Sequence, residues 1–148
     1  MTDAVIVDVD GTLCDVSSLR KHVSSRPKNF DAFHAGSAQC PPIAQTLEFI
    51  DHHYGAGRTI VVVTARCYRW EGLTRAWLNR HVTVPFEGPF MRGDDDYRPD
   101  VDVKRRIHEI LVHEHGYRIV EAIDDNPAIV ALWQELGIPT TVVPGWRN

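Results

Sequence analysis

The sequence predicts an α/β fold: a Rossmannoid three-layer sandwich built on a doubly wound, mainly parallel sheet of five strands. Three observations predict it. Ala4-Val5-Ile6-Val7 and Thr59-Ile60-Val61-Val62-Val63 are β-branched apolar runs without polar alternation, the pattern of strands buried on both faces. Segments with apolar residues at helical spacing separate the strand-like runs, as crossovers between parallel strands require. Acidic residues gather at the carboxyl ends of the runs, where open α/β sheets bind their ligands.

In chain order, residues 4–9 form the first strand and end in acids. A small cap-like insertion, residues 13–40, follows it. Pro41-Pro42 opens a helix carrying Ile43, Leu47, Phe49 and Ile50 that stops at Gly55 or Gly57, since glycine suits a helix C-terminus. Thr59–Val63 is the second strand. Tyr68–Arg80 carries Trp70, Leu73, Trp77 and Leu78 at helical spacing, and Pro85–Met91 holds a short third strand. Val101–His115 is helical through Val103, Ile107, Ile110 and Leu111, and Arg118–Ile123 is the fourth strand. Asn126-Pro127 starts the last helix, with Asn126 as N-cap and Pro127 at the first helical position. Gly137 ends that helix, and Thr140–Val143 closes as the fifth strand.

A length of 148 residues fits one domain, 1–148. Hydrophobic content of 43% with 24% charged residues is ordinary globular composition, and no apolar run approaches the roughly 20 residues of a membrane span. The N-terminus runs almost directly into the first strand without a basic lead, so no secretory signal and a cytoplasmic setting are expected. Cys14, Cys40 and Cys67 are odd in number and lack CxxC spacing, which argues for reduced thiols over disulfides or a structural zinc site. The net charge of −4 speaks against non-specific coating of nucleic acid. Arg20, Lys21, Arg26 and Lys28 nevertheless cluster in a stretch free of acids, an attraction for anions or simply a solvated loop.

Asp8-Val9-Asp10-Gly11-Thr12 places two carboxylates at alternate positions and then a glycine that lets the backbone turn away. Two like charges ~4 Å apart repel by about 4 kcal/mol at an effective dielectric of 20, so a cation must answer them. Mg²⁺ suits the site because it takes oxygen ligands, and Asp124-Asp125 on another strand can complete a shell with Asp8 and the Asp10 carbonyl. Thr64-Ala65-Arg66 follows the second apolar run, where a hydroxyl and backbone N–H groups can hold phosphate oxygens. Lys104, near the start of a helix, can reach the same crevice and offset charge on nucleophile and phosphate. Taken singly, such a lysine is an ordinary surface residue.

These residues, Asp8-Val9-Asp10-Gly11-Thr12, Thr64, Lys104 and Asp124-Asp125, resemble in order the four motifs of the haloacid dehalogenase superfamily, over nearly the whole chain. Val61–Arg66, Leu73–Trp77, Asp100–Lys104 and Ala122–Asn126 further resemble the 3′-phosphatase domain of phage-type polynucleotide kinase. The resemblance implies a Mg²⁺-dependent phosphatase. It implies Asp8 as nucleophile, Asp10 as general acid and then base, Thr64 and Lys104 on the phosphate, Arg66 near the substrate, and Asp8, Asp10, Asp124 and Asp125 at the metal. Asp100 matches an acid four residues before the lysine. Arg20 matches a functional arginine only after a shift, because the segment between Leu13 and Cys40 is longer here. The implied substrates are 3′-phosphate ends of nucleic acid or nucleoside 3′-monophosphates; the alternatives are a general phosphatase of nucleotides or sugar phosphates and a catalytically silent binding module.

For Asp10 to donate a proton, its carboxylate neighbours are expected to raise its pKa. No GxxxxGK[ST] loop is present, so no 5′-kinase activity is expected. His52-His53 and His113-Glu114-His115 diverge on a helix and read as structural or surface residues. Trp70, Trp77 and Trp133 fall in phase with apolar neighbours and read as core. For Phe30, Phe33 and Tyr68 a packed mini-core under the insertion is favoured over base stacking.

Overall fold

The computed structural model describes residues 1–24 and 26–145. Among them, β1 (Thr2–Val7), β2 (Thr59–Cys67), β3 (Glu87–Arg92), β4 (Tyr117–Asp124) and β5 (Thr140–Val142) form one parallel sheet in the order β3-β2-β1-β4-β5. Val5 lies opposite Ile60 and Val7 opposite Val62, so these four share one face, while Ala4, Ile6, Val61 and Val63 share the other. Both sets are completely buried. This double burial is why the runs show no polar alternation.

Helices cover both faces. Between β1 and the first crossover helix lies the insertion, with a 3-10 turn at Ser17–His22, α1 (Phe30–Gly36) and a second 3-10 turn at Ser37–Gln39. α2 (Ala44–Gly55) and α3 (Glu71–His81) pack Phe49, Ile50, Trp77 and Leu78 onto the Val5 face. α4 (Asp100–His113) and α5 (Pro127–Glu135) pack Ile107, Leu111, Leu132 and Trp133 onto the Ile6 face. The start of α5 is set as its sequence suggests: Asn126 Oδ1 accepts the Ala128 N–H at 2.9 Å and Pro127 opens the helix. No helix among the described residues is long and apolar enough to cross a membrane. All three cysteines are free.

Hydrogen bonds fasten the insertion, and the turn that leads into it, to the body. The Trp77 indole N–H donates to the Cys40 carbonyl at 2.8 Å, and the Thr46 hydroxyl to the Thr12 carbonyl at 2.6 Å. Phe33 is buried with Val16 and Cys40, as a mini-core requires. Phe30 and Tyr68 correct the expectation, being 53% and 63% exposed. α1 is only two turns long, and Phe30 at its start stacks on His34 instead of reaching the core. Tyr68 and the half-buried Trp70 belong to a 3-10 turn, Tyr68–Trp70, that precedes α3, so Trp70 is not the core residue its spacing suggested.

Candidate active site

The strand order places the site. From β1 the chain builds β2 and β3 on one side, then returns to lay β4 and β5 on the other, so the order reverses between β1 and β4. Neighbouring crossovers diverge at such a point and leave a crevice beyond the strand ends. Asp8 follows β1 and donates its N–H to Ile123 of β4 at 3.3 Å; Asp124 ends β4 and Asp125 comes next. Gly11 makes the turn away from β1 with φ +79°, and a Cβ there would collide with the Asp125 carboxylate.

Lys104, in the second turn of α4, donates from Nζ to Asp8 Oδ1 at 2.7 Å and to Asp124 Oδ2 at 3.1 Å, with its side chain 4% exposed. Thr12 Oγ1 sits 2.8 Å from Asp8 Oδ2 and 3.1 Å from Asp125 Oδ1, bridging the other side. Oxygens of Asp8, Asp124 and Asp125 all lie within 4.8 Å of one another, and all three residues are buried. Burial works against the Lys104 charge, yet Asp124 and Asp8 outweigh it and raise its pKa above that of an ordinary lysine. Burial, and then repulsion from Asp8, push Asp124 and Asp125 upward. One ammonium does not balance three packed carboxylates.

Asp10 behaves otherwise than expected. Arg66 grips it with both arms of the guanidinium, Nε to Oδ2 at 3.0 Å and Nη2 to Oδ1 at 2.6 Å, while Nη1 donates to Thr74 Oγ1 at 2.9 Å. Burial raises the Asp10 pKa, but the charge and hydrogen bonds of Arg66 prevail and hold it below the usual carboxylate value. The expected rise fails because the nearest charge is this arginine rather than another acid.

Asp8, Asp10, Thr64, Asp100, Lys104, Asp124 and Asp125 line one cavity of about 330 Å³. Arg66 and Arg20 line an adjoining chamber of about 800 Å³ that shares Asp10, Ala65, Asp100 and Asn126 with the first. Asp100, at the first position of α4, pairs with Arg92 at 2.6 Å. Three residues escape a reading of motifs. Thr12 lies inside the first motif, and Thr74 inside the Leu73–Trp77 segment, without a role assigned to either; Arg92 carries no spacing signal, since its contact to Asp100 arises only on folding.

A family model described as the polynucleotide kinase PNKP phosphatase domain matches residues 2–145. The chain belongs to that family. A protein of Autographa californica nuclear polyhedrosis virus, named "Putative bifunctional polynucleotide kinase/RNA ligase", is 26% identical over 137 residues, which cover 93% of this chain and 18% of the relative. A chain of the Pnkp1/Rnl/Hen1 RNA repair complex superposes with a TM-score of 0.74 at 23% identity, covering 97% of this chain and 42% of that one. The class C acid phosphatase of Bacillus anthracis with tungstate bound superposes with a TM-score of 0.68 at 15% identity, over 99% of this chain and 68% of that one. The chain thus spans less than half the length of the first two, and the structural likenesses show a common fold.

As a polynucleotide kinase-type phosphatase domain, the chain is an enzyme built to cleave phosphate esters, and its buried acids suit a metal. The donors of Asp8, Asp124 and Asp125 are all hard oxygens, as Mg²⁺ prefers, and they lie close enough together that they could hold a divalent cation.

Proposed function

We propose that this phosphatase domain is a Mg²⁺-dependent phosphomonoesterase that works through an aspartyl-phosphate on Asp8, on 3′-phosphate ends of nucleic acid or nucleoside 3′-monophosphates. The observation that carries the reading is the Lys104 ammonium shared by Asp8 and Asp124 at the edge of a three-carboxylate cluster. Such an arrangement leaves a nucleophile and an electrostatic clamp facing one cavity. Mg²⁺ held by Asp8, Asp124, Asp125 and the Asp10 carbonyl would supply stabilisation of charge on the phosphoryl oxygens.

In the first step an Asp8 carboxylate oxygen attacks phosphorus, the bond to the leaving oxygen breaks, and Asp10 gives that oxygen its proton. In the second, Asp10 takes a proton from water as the water oxygen attacks phosphorus, releasing inorganic phosphate and restoring the Asp8 carboxylate. Thr64 and Lys104 hold the phosphoryl oxygens in both. The Arg66 grip gives the cycle a requirement: to be protonated, Asp10 must be released, and the guanidinium moves to the incoming phosphate. Asp100, fixed by Arg92 where the two cavities meet, borders the substrate.

The names of the relatives, a polynucleotide kinase/RNA ligase and an RNA repair complex, support strand ends as substrates. The test is a panel of 3′-phosphorylated oligonucleotides, nucleoside 3′- and 5′-monophosphates and sugar phosphates, each with Mg²⁺. The 3′-phosphates should be turned over with the highest kcat/KM; preference for sugar phosphates would overturn the substrate assignment.

A further inference from the structure

Arg66 is a buried arginine near the end of a buried strand. It lies two residues beyond Thr64 and four beyond Val62, so its side chain takes the face of β2 that α3 covers. A guanidinium in such a place needs acceptors, because a buried donor left unpaired pays its full desolvation penalty. Of the five N–H groups an arginine carries, Asp10 takes two and Thr74 takes one; among the described residues the other two make no hydrogen bond. The backbone is tied as well, since the Arg66 N–H donates to Thr64 Oγ1 at 3.2 Å.

Thr74 interrupts an apolar face. It stands three residues before Trp77 and four before Leu78, both packed on the Val5 face of the sheet, and is itself 1% exposed. Helical spacing calls for an apolar residue here, and threonine is a weaker helix former than leucine or alanine. What the hydroxyl adds is an acceptor, 2.9 Å from Arg66 Nη1. That acceptor is neutral, and its neutrality matters because Asp10 already matches the single charge of Arg66. A second carboxylate would pin the guanidinium, whereas a hydroxyl holds one corner of it and leaves its charge available to an incoming anion. An apolar side chain at this position would leave Nη1 buried without its acceptor.

We infer that Thr74 is a positioning residue for Arg66: it retains Nη1 while Nε and Nη2 pass from the Asp10 carboxylate to the phosphoryl group. The inference deepens the proposed function and rests on it for the transfer of the guanidinium to phosphate. A guanidinium fixed through Asp10 alone would lose its orientation on release, and an arginine side chain has much rotamer freedom to lose again when it meets the next anion. Held at a third point that neither anion supplies, it turns about Nη1 and arrives already oriented. The hydrogen bond from its own N–H to Thr64 fixes the other end of the residue beside the hydroxyl proposed to meet the phosphate.

Binding of inorganic phosphate, with Mg²⁺ present throughout, tests this apart from turnover. Thr74→Val keeps the shape of the side chain and removes the acceptor; calorimetric titration should find phosphate bound about 10- to 100-fold more weakly, the loss expected for a hydrogen bond to a charged group. Thr74→Ser keeps the acceptor and should bind as the parent does. On p-nitrophenyl phosphate the Thr74→Val protein should show KM raised by a similar factor and kcat changed far less, whereas a helix merely loosened by the substitution would lower the active fraction and leave KM alone. In an Arg66→Ala background, Thr74→Val should weaken phosphate binding no further, since the hydroxyl acts through the arginine. Unchanged phosphate affinity in Thr74→Val, an equal loss in Thr74→Ser, the same loss without Arg66, or a parent that binds no phosphate overturns the inference. Failure of the parent to hydrolyse any phosphate ester would instead strike the proposed function, and the phosphate affinities of the Thr74 variants would still decide the role of that residue.

Discussion

Asp10 is held by two arms of Arg66, so the proton transfer proposed for it depends on where that guanidinium goes. Asp10→Asn keeps the size of the side chain and removes the acid. Release of an alkoxide from a 3′-phosphate should then slow by about 10²- to 10⁴-fold, while p-nitrophenolate, which leaves without a proton, should depart in the first turnover at close to the parent rate. Rapid-quench measurement on the two esters checks this; equal slowing of both first steps would remove Asp10 from proton transfer. A second consequence concerns Asp124 and Asp125, raised by burial and by Asp8 to about 6 and about 7 from the ordinary 3.8. Raised pKa values mean that the metal-free folded state binds more protons than the unfolded one between those limits. The contribution of these two groups to stability is thus full at low pH and lost as pH rises through 6 and 7. On the proposed function Mg²⁺ would take the place of these protons, so the increase in Tm on adding it should be larger at pH 8 than at pH 5.5. Equal increments at the two pH values would show that these carboxylates do not hold the ion.

Among the elements, α5 starts beside the acids and carries its own cap. Asn126→Ala removes the acceptor for the Ala128 N–H and should cost about 1 kcal/mol, a Tm shift of about 3 °C for a chain of this size; an unchanged Tm would show that solvent caps the helix equally well. Elements of this kind are legible in the sequence because their signals are local. The Asn126-Pro127 cap, the glycine stop at Gly137 and the apolar runs of β1 and β2 all depend on neighbours in the chain. The insertion is less legible. Phe30 and Phe33 are three residues apart on one short helix, and only the tertiary position of α1 decides that Phe33 is buried and Phe30 exposed. β2 likewise runs beyond its apolar residues to Cys67, because Arg66 is buried against Asp10 and Thr74 rather than facing water.

At the scale of the whole molecule, one topological fact gathers the site: the strand order reverses between β1 and β4, so residues 8 and 124–125 meet although most of the chain separates them. The carboxylates and Lys104 are legible because each sits at a strand end or near a helix start, and the fold brings such positions to a single crevice. The Arg66–Asp10–Thr74 and Arg92–Asp100 contacts are not, since each joins segments whose distance in space no local pattern encodes. The central claim, that this architecture makes Asp8 a nucleophile, is tested most directly by trapping the covalent adduct. The Asp10→Asn protein, with Mg²⁺ and p-nitrophenyl phosphate, should accumulate a phosphoenzyme because its second step lacks the base. Acid quenching followed by peptide mass spectrometry should find one phosphoryl group on the peptide bearing Asp8, and none in the Asp8→Asn/Asp10→Asn protein. A phosphoryl group on any other residue, or a first-turnover burst of p-nitrophenolate with no phosphorylated protein, would contradict it.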